Sequence, residues 1–466
     1  MVYKVISFFY PSLNKNEIKK FGLLAMIFFF IIGTYWLVRL LKDTLLFKIA
    51  FPECLGWPAG YGRLMQPVCK IWSPFVVVLI VLIYSKLVDL FEKHKLFYLI
   101  CSFYAVLFFS IGIVLGIRAI CGELYLGSTI LATTGFISYF ATESFGSLLA
   151  ALFWSFTASV STNEEAKKGF PLIIAGAQLG GIGGSSLTLF AEQIGGIWKL
   201  FIFASIFILL IIVMMYYFIK TMPKDQLIGD KHAAQTEKIK EGFFEGFVSG
   251  LKLLLTRSYL FGILIISTFY EAANQIIDYQ MKSQADLYPG FSGELGFAKF
   301  QGIYGVCTNI LAFLMALLGT SYLIKRLGTR ICLLIFPISL AISFSTLYWF
   351  YRFGNLTAGE LLFATFLTMM VSRALSYAVN NPTKDMMYIP TSKDAKFKTK
   401  GWIDMFGSRS AKMAGARVSN VFKHSLTDLM RYGTLFSLGL IGCWLFAAIY
   451  VGKRNEELVK NGEIIE

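Results

Sequence analysis

Charged residues interrupt the first long apolar segment of the chain, which runs from Phe21 to Ala50. Arg39, Lys42 and Asp43 lie three or four positions apart, so one face of a helix carries all three. A charge at the centre of a membrane helix costs about 2.5 to 3.5 kcal/mol on insertion scales. Helices accept that cost where the charges face a polar interior. The triplet therefore predicts a site for a charged solute.

The triplet has a second interpretation, in which its side chains reach the outer headgroups from the end of a helix. The apolar run from Thr44 to Phe47 continues past the charges and favours an interior site. Lys48, at the end of the run, suits the headgroup interpretation better. Within the triplet, Asp43 can partly neutralise Arg39, which leaves Lys42 as the spare cation.

Further charges lie inside later apolar segments. Glu143 lies in the fourth segment and needs a cationic partner if it is ionised. Glu271, Asp278 and Lys282 lie on one face of the seventh segment, at spacings of seven and four. That face occupies the same place in the second half of the chain as the Arg39 triplet does in the first. An intrahelical salt bridge that only makes the helix insertable is the alternative interpretation.

The segment 401–424 is too polar to face lipid, because it carries Asp404, Arg409 and Lys412. Arginine suits forked binding to phosphate oxygens, and lysine acts as a point charge. We expect this segment to line a cavity. Lys400 precedes it and is the alternative key cation, although Lys412 should lie deeper.

Taken together, the interior cations and carboxylates nearly balance. A polyanion with three or four charges could bind by displacing internal salt-bridge partners. Tyr35, Tyr139 and Phe140 are candidates for stacking on a base, with packing in the core as the alternative for each. No set of residues suggests a catalytic nucleophile or a resident metal or cofactor, because the three histidines are isolated and the seven cysteines form no CxxC pair. Cys54 and Cys121 are either free thiols or a disulfide.

Composition places the whole chain in a membrane. Of its 466 residues, 56% are hydrophobic and only 15% are charged, whereas soluble proteins are about 25% charged. The net charge of +15 then reflects the positive-inside rule rather than a nucleic-acid partner. Loops on one predicted side carry most of the lysines and arginines, which predicts that both termini are cytoplasmic.

Hydrophobic windows predict an all-α integral membrane protein with twelve transmembrane helices. The predicted spans are 21–47, 70–91, 96–117, 132–160, 169–190, 198–221, 258–284, 297–324, 330–352, 359–381, 401–424 and 432–452. Six spans precede a polar stretch and six follow it. This divides the chain into a six-helix bundle at 1–221, a cytoplasmic linker with an amphipathic helix at 222–257, and a second bundle at 258–466. A 6+6 arrangement with pseudo-two-fold symmetry is typical of major-facilitator-like transporters.

Four motifs, in order along the chain, resemble those of the ATP/ADP translocases of obligate intracellular bacteria and plastids. The first is similar to NYxxLRxxKDTL and consists of Tyr35, Arg39, Lys42, Asp43, Thr44 and Leu45. The second consists of Glu143, Gly146, Phe153 and Trp154. The third consists of Tyr270, Asp278, Lys282, Ser283, Tyr288 and Pro289. The fourth is similar to KExxYIP…KxKxKxxID…GK and consists of Lys384, Tyr388, Ile389, Pro390, Lys398, Lys400, Ile403, Asp404, Gly407 and Lys412.

The resemblance implies a transporter, not an enzyme, that imports host nucleotides by ATP/ADP-type exchange and alternating access. The family's charged residues important for transport correspond to Lys42, Glu143, Asp278 and a lysine of the fourth motif, for which we favour Lys412 over Lys400. We assign phosphate binding to Lys42, Arg39, Lys282, Arg409 and Lys412. We assign coupling or organisation of the site to Asp43, Glu143, Asp278 and Asp404. The expected protein is a monomer in a bacterial inner membrane.

Several positions depart from the family pattern. Thr34 stands where the family has Asn, Ala158-Ser159 replaces Asn-Gln, and Asp278 replaces a glutamate. The substrate therefore stays open among ATP, ADP, GTP, UTP, CTP and NAD. Proton-coupled nucleotide symport and NAD/ADP exchange are the alternatives within the class, with protons as a further partner in the first. A lipid flippase and a membrane enzyme are the alternatives outside it.

Overall fold

The computed structural model describes residues 13–222, 243–318 and 320–465, and almost every element in these ranges is helical. Much of the predicted linker, including its charged residues from Lys224 to Lys240, lies outside them. Within the described ranges, extended pairing is limited to one bridge between Thr391 and Ile465. The all-α prediction is confirmed.

Fifteen helices carry labels here, and their bounds extend most predicted spans by several residues. The helices are α1 (Lys15–Lys48), α2 (Tyr61–Leu90), α3 (Lys93–Cys121), α4 (Glu123–Ser159), α5 (Asn163–Leu189), α6 (Ile197–Thr221), α7 (Phe243–Thr256), α8 (Ser258–Leu287), α9 (Gly293–Leu318), α10 (Thr320–Phe353), α11 (Ala358–Leu375), α12 (Asn381–Met386), α13 (Lys393–Trp402), α14 (Ser408–Val421) and α15 (Thr434–Asn461).

Eleven helices within the described ranges are long and apolar enough to cross a membrane. The predicted span 401–424 is not among them. It consists of the end of α13, a π-helical turn at Ile403–Gly407 and α14. Its polarity, already evident in the sequence, keeps it below the hydropathy of a membrane span. The multi-pass architecture is confirmed, while the count of twelve stays a prediction.

Local sequence signals explain where several helices begin. The Asn14 side chain accepts a hydrogen bond from the Glu17 backbone at 2.8 Å, and the Glu17 carboxylate accepts one from the Asn14 backbone at 2.7 Å. Thr162 and Glu165 form the same capping box at the start of α5. Each box satisfies backbone N–H groups that have no partner inside the helix.

The chain forms two compact units, and the first comprises residues 1–63, 75–238 and 290–310. Its centre is α1, which packs against α4, α5 and α6, while α3 packs against α4 and α6. The second unit comprises residues 64–74, 239–289 and 311–466. Its centre is α8, which packs against α11, α14 and α15, while α10 packs against α11 and α15. The equivalent helices of each half therefore make the same pairings, as an internal repeat predicts. The domain boundaries at 222 and 257 stay a prediction.

Glycines set the distance between α1 and α5. A Cβ atom added to Gly184 would lie 1.9 Å from the carbonyl oxygen of Gly33, and one added to Gly180 would lie 2.2 Å from that of Phe29. Small residues spaced four apart let membrane helices approach this closely. The glycine cluster of α5 is thus a packing surface. It fixes α1, which carries the first group of charges.

Candidate functional site

The first unit places Lys42 of α1 beside Glu143 of α4. The Lys42 side chain is 4% exposed and donates a hydrogen bond to Glu143 Oε1 within an ion pair. Its ammonium nitrogen also lies 4.2 Å from the ring centroid of Tyr139. A buried lysine needs such partners, because an unpaired charge in a low-dielectric interior is very costly. The cationic partner expected for Glu143 is therefore Lys42.

The other residues of the first group lie on the same helix, α1. The Arg39 guanidinium carbon lies 4.8 Å from the Trp36 ring centroid and 5.9 Å from that of Tyr35. Asp43 is 3% exposed. Gly146 on α4 leaves room for the Tyr35 ring, since a Cβ there would lie 2.3 Å from it. Tyr35 and Lys42 thus contact α4 directly.

The stacking candidates differ in their surroundings. Tyr139 is completely buried beneath the Lys42 ammonium. Phe140 lines an apolar cavity of about 650 Å³ among α2, α3 and α4. Tyr35 is half-buried and is the best placed of the three to meet a ligand. Base stacking by these residues stays a prediction.

In the second unit, α8 carries a buried ion pair. The Lys282 ammonium lies 2.5 Å from Asp278 Oδ2, and both side chains are 7% exposed. The pairing is the intrahelical one that the spacing of four predicts. Glu271, two turns earlier, instead pairs with Lys412 of α14 at 3.5 Å.

Glycine again brings the two helices together at this point. A Cβ atom on Gly415 would lie 2.4 Å from the carbonyl oxygen of Ala272. Gly415 is one turn beyond Lys412, and Ala272 follows Glu271. The close approach of α14 to α8 therefore holds the Lys412 side chain beside the Glu271 carboxylate.

The two candidate cations of the fourth motif have different environments. Lys400 pairs with Asp385 at 2.8 Å, with side chains 37% and 53% exposed. Lys412 is half-buried against Glu271, which is 18% exposed. The geometry favours Lys412 as the interior cation. Arg409 is half-buried at the start of α14, while Asp404 is exposed in the preceding turn.

Two interior partners were missed from the sequence. Arg373, at the end of α11, and Asn274, on α8, contact each other. Arg373 interrupts the predicted apolar span 359–381, which is the same signal that singled out Arg39, so Arg373 could have been found. The buried pair of Lys20 and Glu165, 3.1 Å apart, gave no such signal, because Lys20 belongs to the charged stretch that precedes the first span.

Cys54 and Cys121, which the sequence left open as a disulfide, are both free thiols. Cys54 Sγ donates a hydrogen bond to Glu123 Oε2 at 2.9 Å. The hydrogen bond to this carboxylate raises the pKa of the Cys54 thiol, and burial of the thiol and the negative charge of Glu123 raise it further. The disulfide interpretation is therefore not the one that the structure adopts.

The fold is similar to that of solved membrane transporters. A variant of the nucleoside transporter NupG superposes with a TM-score of 0.62 at 14% identity, covering 94% of this chain and all of that one. A peptide transporter POT in complex with sulfate gives a TM-score of 0.61 at 15% identity, covering 93% of this chain and 95% of that one. At these identities the likeness concerns the fold alone.

The chain belongs to the TLC ATP/ADP transporter family, whose model matches residues 1–119 and 128–454. A chloroplastic ADP,ATP carrier protein 2 of Arabidopsis thaliana is 25% identical, over 93% of this chain and 74% of its own. ADP,ATP carrier protein 1 of Chlamydia pneumoniae is 24% identical, over 97% and 94% respectively. The corresponding carrier of Rickettsia prowazekii is 22% identical, over 97% and 96%. The chain is thus a nucleotide transporter and not an enzyme.

Proposed function

We propose that the protein exchanges ATP for ADP across a bacterial inner membrane by alternating access, with both termini in the cytoplasm. The observation that carries the proposal is the pairing of buried charges in a member of an ATP/ADP transporter family. Lys42–Glu143, Lys282–Asp278 and Lys412–Glu271 each hold a lysine against a carboxylate within or beside membrane-spanning helices. Such pairs keep the interior of the empty protein close to neutral.

The paired lysines explain how a polyanion could bind and leave. Phosphate oxygens replace the carboxylate at each lysine, so the ammonium keeps an anionic partner throughout. Arg39 and Arg409 add guanidinium groups that suit forked contacts with phosphate. Asp43, Glu143, Asp278 and Asp404 then hold the cations in place when the nucleotide has left. Binding is reversible because one set of ion pairs replaces another.

Two features bear on which nucleotides the protein transports. The named relatives are ADP,ATP carriers, which favours adenine nucleotides. Thr34, Ala158-Ser159 and the shorter Asp278 depart from the family motifs, which favours a broader range that includes GTP, UTP, CTP or NAD. A monomer would be sufficient for this function.

A thermal-shift panel tests the proposal on the purified protein. We expect ATP and ADP to raise the melting temperature more than NAD, because ligands that bind only the folded state stabilise it by mass action. Uptake of the stabilising nucleotides into proteoliposomes then tests transport. A protein that responds to no nucleotide, and instead moves labelled phospholipid between leaflets, would be a flippase.

A further inference from the structure

Glu271 lies among more cations than a salt bridge needs. Lys412 is 3.5 Å away, and Arg373 and Lys384 are close enough to interact electrostatically with the same carboxylate. The innermost set of Glu271, Lys412 and Arg373 has a net charge of +1. Lys384 is a further cation near Glu271, and it also interacts electrostatically with Asp404.

Arg373 is held in place by Asn274 of α8. In the amide orientation that satisfies both hydrogen-bonding groups, the Asn274 oxygen lies 3.0–3.1 Å from three guanidinium nitrogens, and its nitrogen donates to the Ser372 hydroxyl at 3.0 Å. Asn274 is 1% exposed. The neutral amide oxygen thus fixes the orientation of the guanidinium.

A buried donor near the same cluster lacks an acceptor. Gln275 follows Asn274 and lies one turn from Glu271 on the same helix face. It is 6% exposed, and its Nε2 atom has no hydrogen-bond partner among the residues that the structure describes. Buried donors are normally satisfied. An anionic ligand at this point would accept a hydrogen bond from this donor and would also meet the cations around Glu271.

We infer that Arg373 is a phosphate-binding residue that makes the affinity of the protein depend on the number of phosphates in the nucleotide. The inference rests on the proposed function and adds a residue of α11 to its binding set. The guanidinium turns from the Asn274 oxygen towards phosphate oxygens, and Lys412 shares the same phosphate chain. This contact increases the affinity most for nucleoside triphosphates, less for diphosphates, and least for monophosphates or dinucleotides.

The test compares Arg373→Gln and Arg373→Lys with the wild type in competition binding by ATP, ADP and AMP. We expect Arg373→Gln to weaken ATP binding by about 10- to 100-fold, the usual effect of losing a charge-assisted hydrogen bond. AMP binding should change by less than about threefold. Arg373→Lys should fall between, because lysine restores the charge but not the forked contact.

Arg417→Gln is the matched control, because Arg417 is an exposed arginine on α14, the helix of Lys412. It should bind all three nucleotides like the wild type. A structural role for Arg373 would weaken the three nucleotides equally, or would leave Arg373→Lys as impaired as Arg373→Gln. Either result would overturn the inference, as would unchanged ATP binding in Arg373→Gln.

Inorganic tripolyphosphate separates this inference from the proposed function. If the wild type binds no nucleotide, the proposed function fails. Tripolyphosphate binding that is present in the wild type and lost in Arg373→Gln would still support the phosphate contact. Tripolyphosphate binding that is equal in both proteins would exclude it.

Discussion

At the residue scale, lysines in the interior of this protein form ion pairs with carboxylates. Lys42 is nearly inaccessible to solvent, yet it contacts both the Glu143 carboxylate and the Tyr139 ring. Replacing one member of a buried pair commonly costs about 3 to 5 kcal/mol, because the other charge is left alone. Glu143 is 18% exposed, so water offsets part of that cost. Replacing Lys42 should therefore reduce transport more strongly than it reduces the stability of the fold.

We predict that Lys42→Ala lowers nucleotide uptake into proteoliposomes by at least about tenfold, since a charged hydrogen-bond donor to phosphate is lost. Lys48→Ala is the matched control, because Lys48 lies six residues further along the same helix and is half-buried at its end. Its uptake should stay within about twofold of the wild type. Normal uptake by Lys42→Ala would exclude the first motif from the site.

The two lysines of the fourth motif give a second residue-scale prediction. Lys412→Gln should reduce uptake by about tenfold or more, because it removes the cation held against Glu271. Lys400→Gln should have little effect, because Lys400 pairs with an exposed carboxylate. Both variants should elute as the wild type does on size-exclusion chromatography. Reversed uptake phenotypes would show that Lys400 is the key cation.

The Cys54 thiol gives a prediction about pH. The Glu123 carboxylate raises its pKa, so at a given pH less of it is the reactive thiolate. Alkylation of Cys54 by iodoacetamide should therefore require a higher pH than alkylation of a free cysteine in a peptide. Glu123→Gln removes the negative charge and should move the profile to lower pH. An unchanged profile would mean that the hydrogen bond does not form in solution.

At the element scale, glycines decide which helices approach each other. Gly180 and Gly184 place α5 against the backbone of α1, and Gly415 places α14 against α8. Membrane helices associate through such packing, because lipid offers no hydrophobic driving force between them. Each contact also fixes a functional side chain. The first orients α1, which carries Lys42, and the second brings Lys412 to Glu271.

A pair of neighbouring glycines tests this packing. Gly184→Ala would place a Cβ atom 1.9 Å from the Gly33 carbonyl oxygen, and such overpacking costs about 1 to 3 kcal/mol. Gly183→Ala meets only Phe29 Cζ at 3.7 Å, which is ordinary contact. The first variant should lower the melting temperature in detergent, whereas the second should leave it unchanged or slightly raised. Equal melting temperatures would exclude a close α1–α5 contact at Gly184.

The sequence predicts these elements unevenly, for physical reasons. Apolar length indicates the membrane helices, and the glycines of α5 predict close packing. The spacing of four predicts the pair of Asp278 and Lys282. The partner of Lys42 is 101 positions away, and its choice depends on how α1 and α4 pack, which local patterns do not encode. Arg373 carries a visible signal, a charge within a predicted span, but its partner Asn274 lies on another helix and has no such signal.

At the scale of the whole molecule, each half repeats the same helix pairings. In the first unit α1 contacts α4, α5 and α6, and in the second α8 contacts α11, α14 and α15. The central helix of each unit also carries its main charges, with Lys42 on α1 and Asp278 and Lys282 on α8. A repeated six-helix design is typical of transporters that work by alternating access. An exchanger changes slowly between its outward-open and inward-open conformations when it is empty, and quickly when a nucleotide is bound.

The central claim, nucleotide exchange, is tested most directly by uptake of labelled ATP into proteoliposomes with and without internal ADP, at two external pH values. We predict rapid uptake only when ADP is inside, with no dependence on the pH gradient. Because ATP carries one more negative charge than ADP, each exchange moves one charge, worth about 2.3 kcal/mol per 100 mV. The rate should therefore respond to membrane potential. Uptake that proceeds without internal nucleotide and follows the pH gradient would contradict exchange and establish proton symport instead.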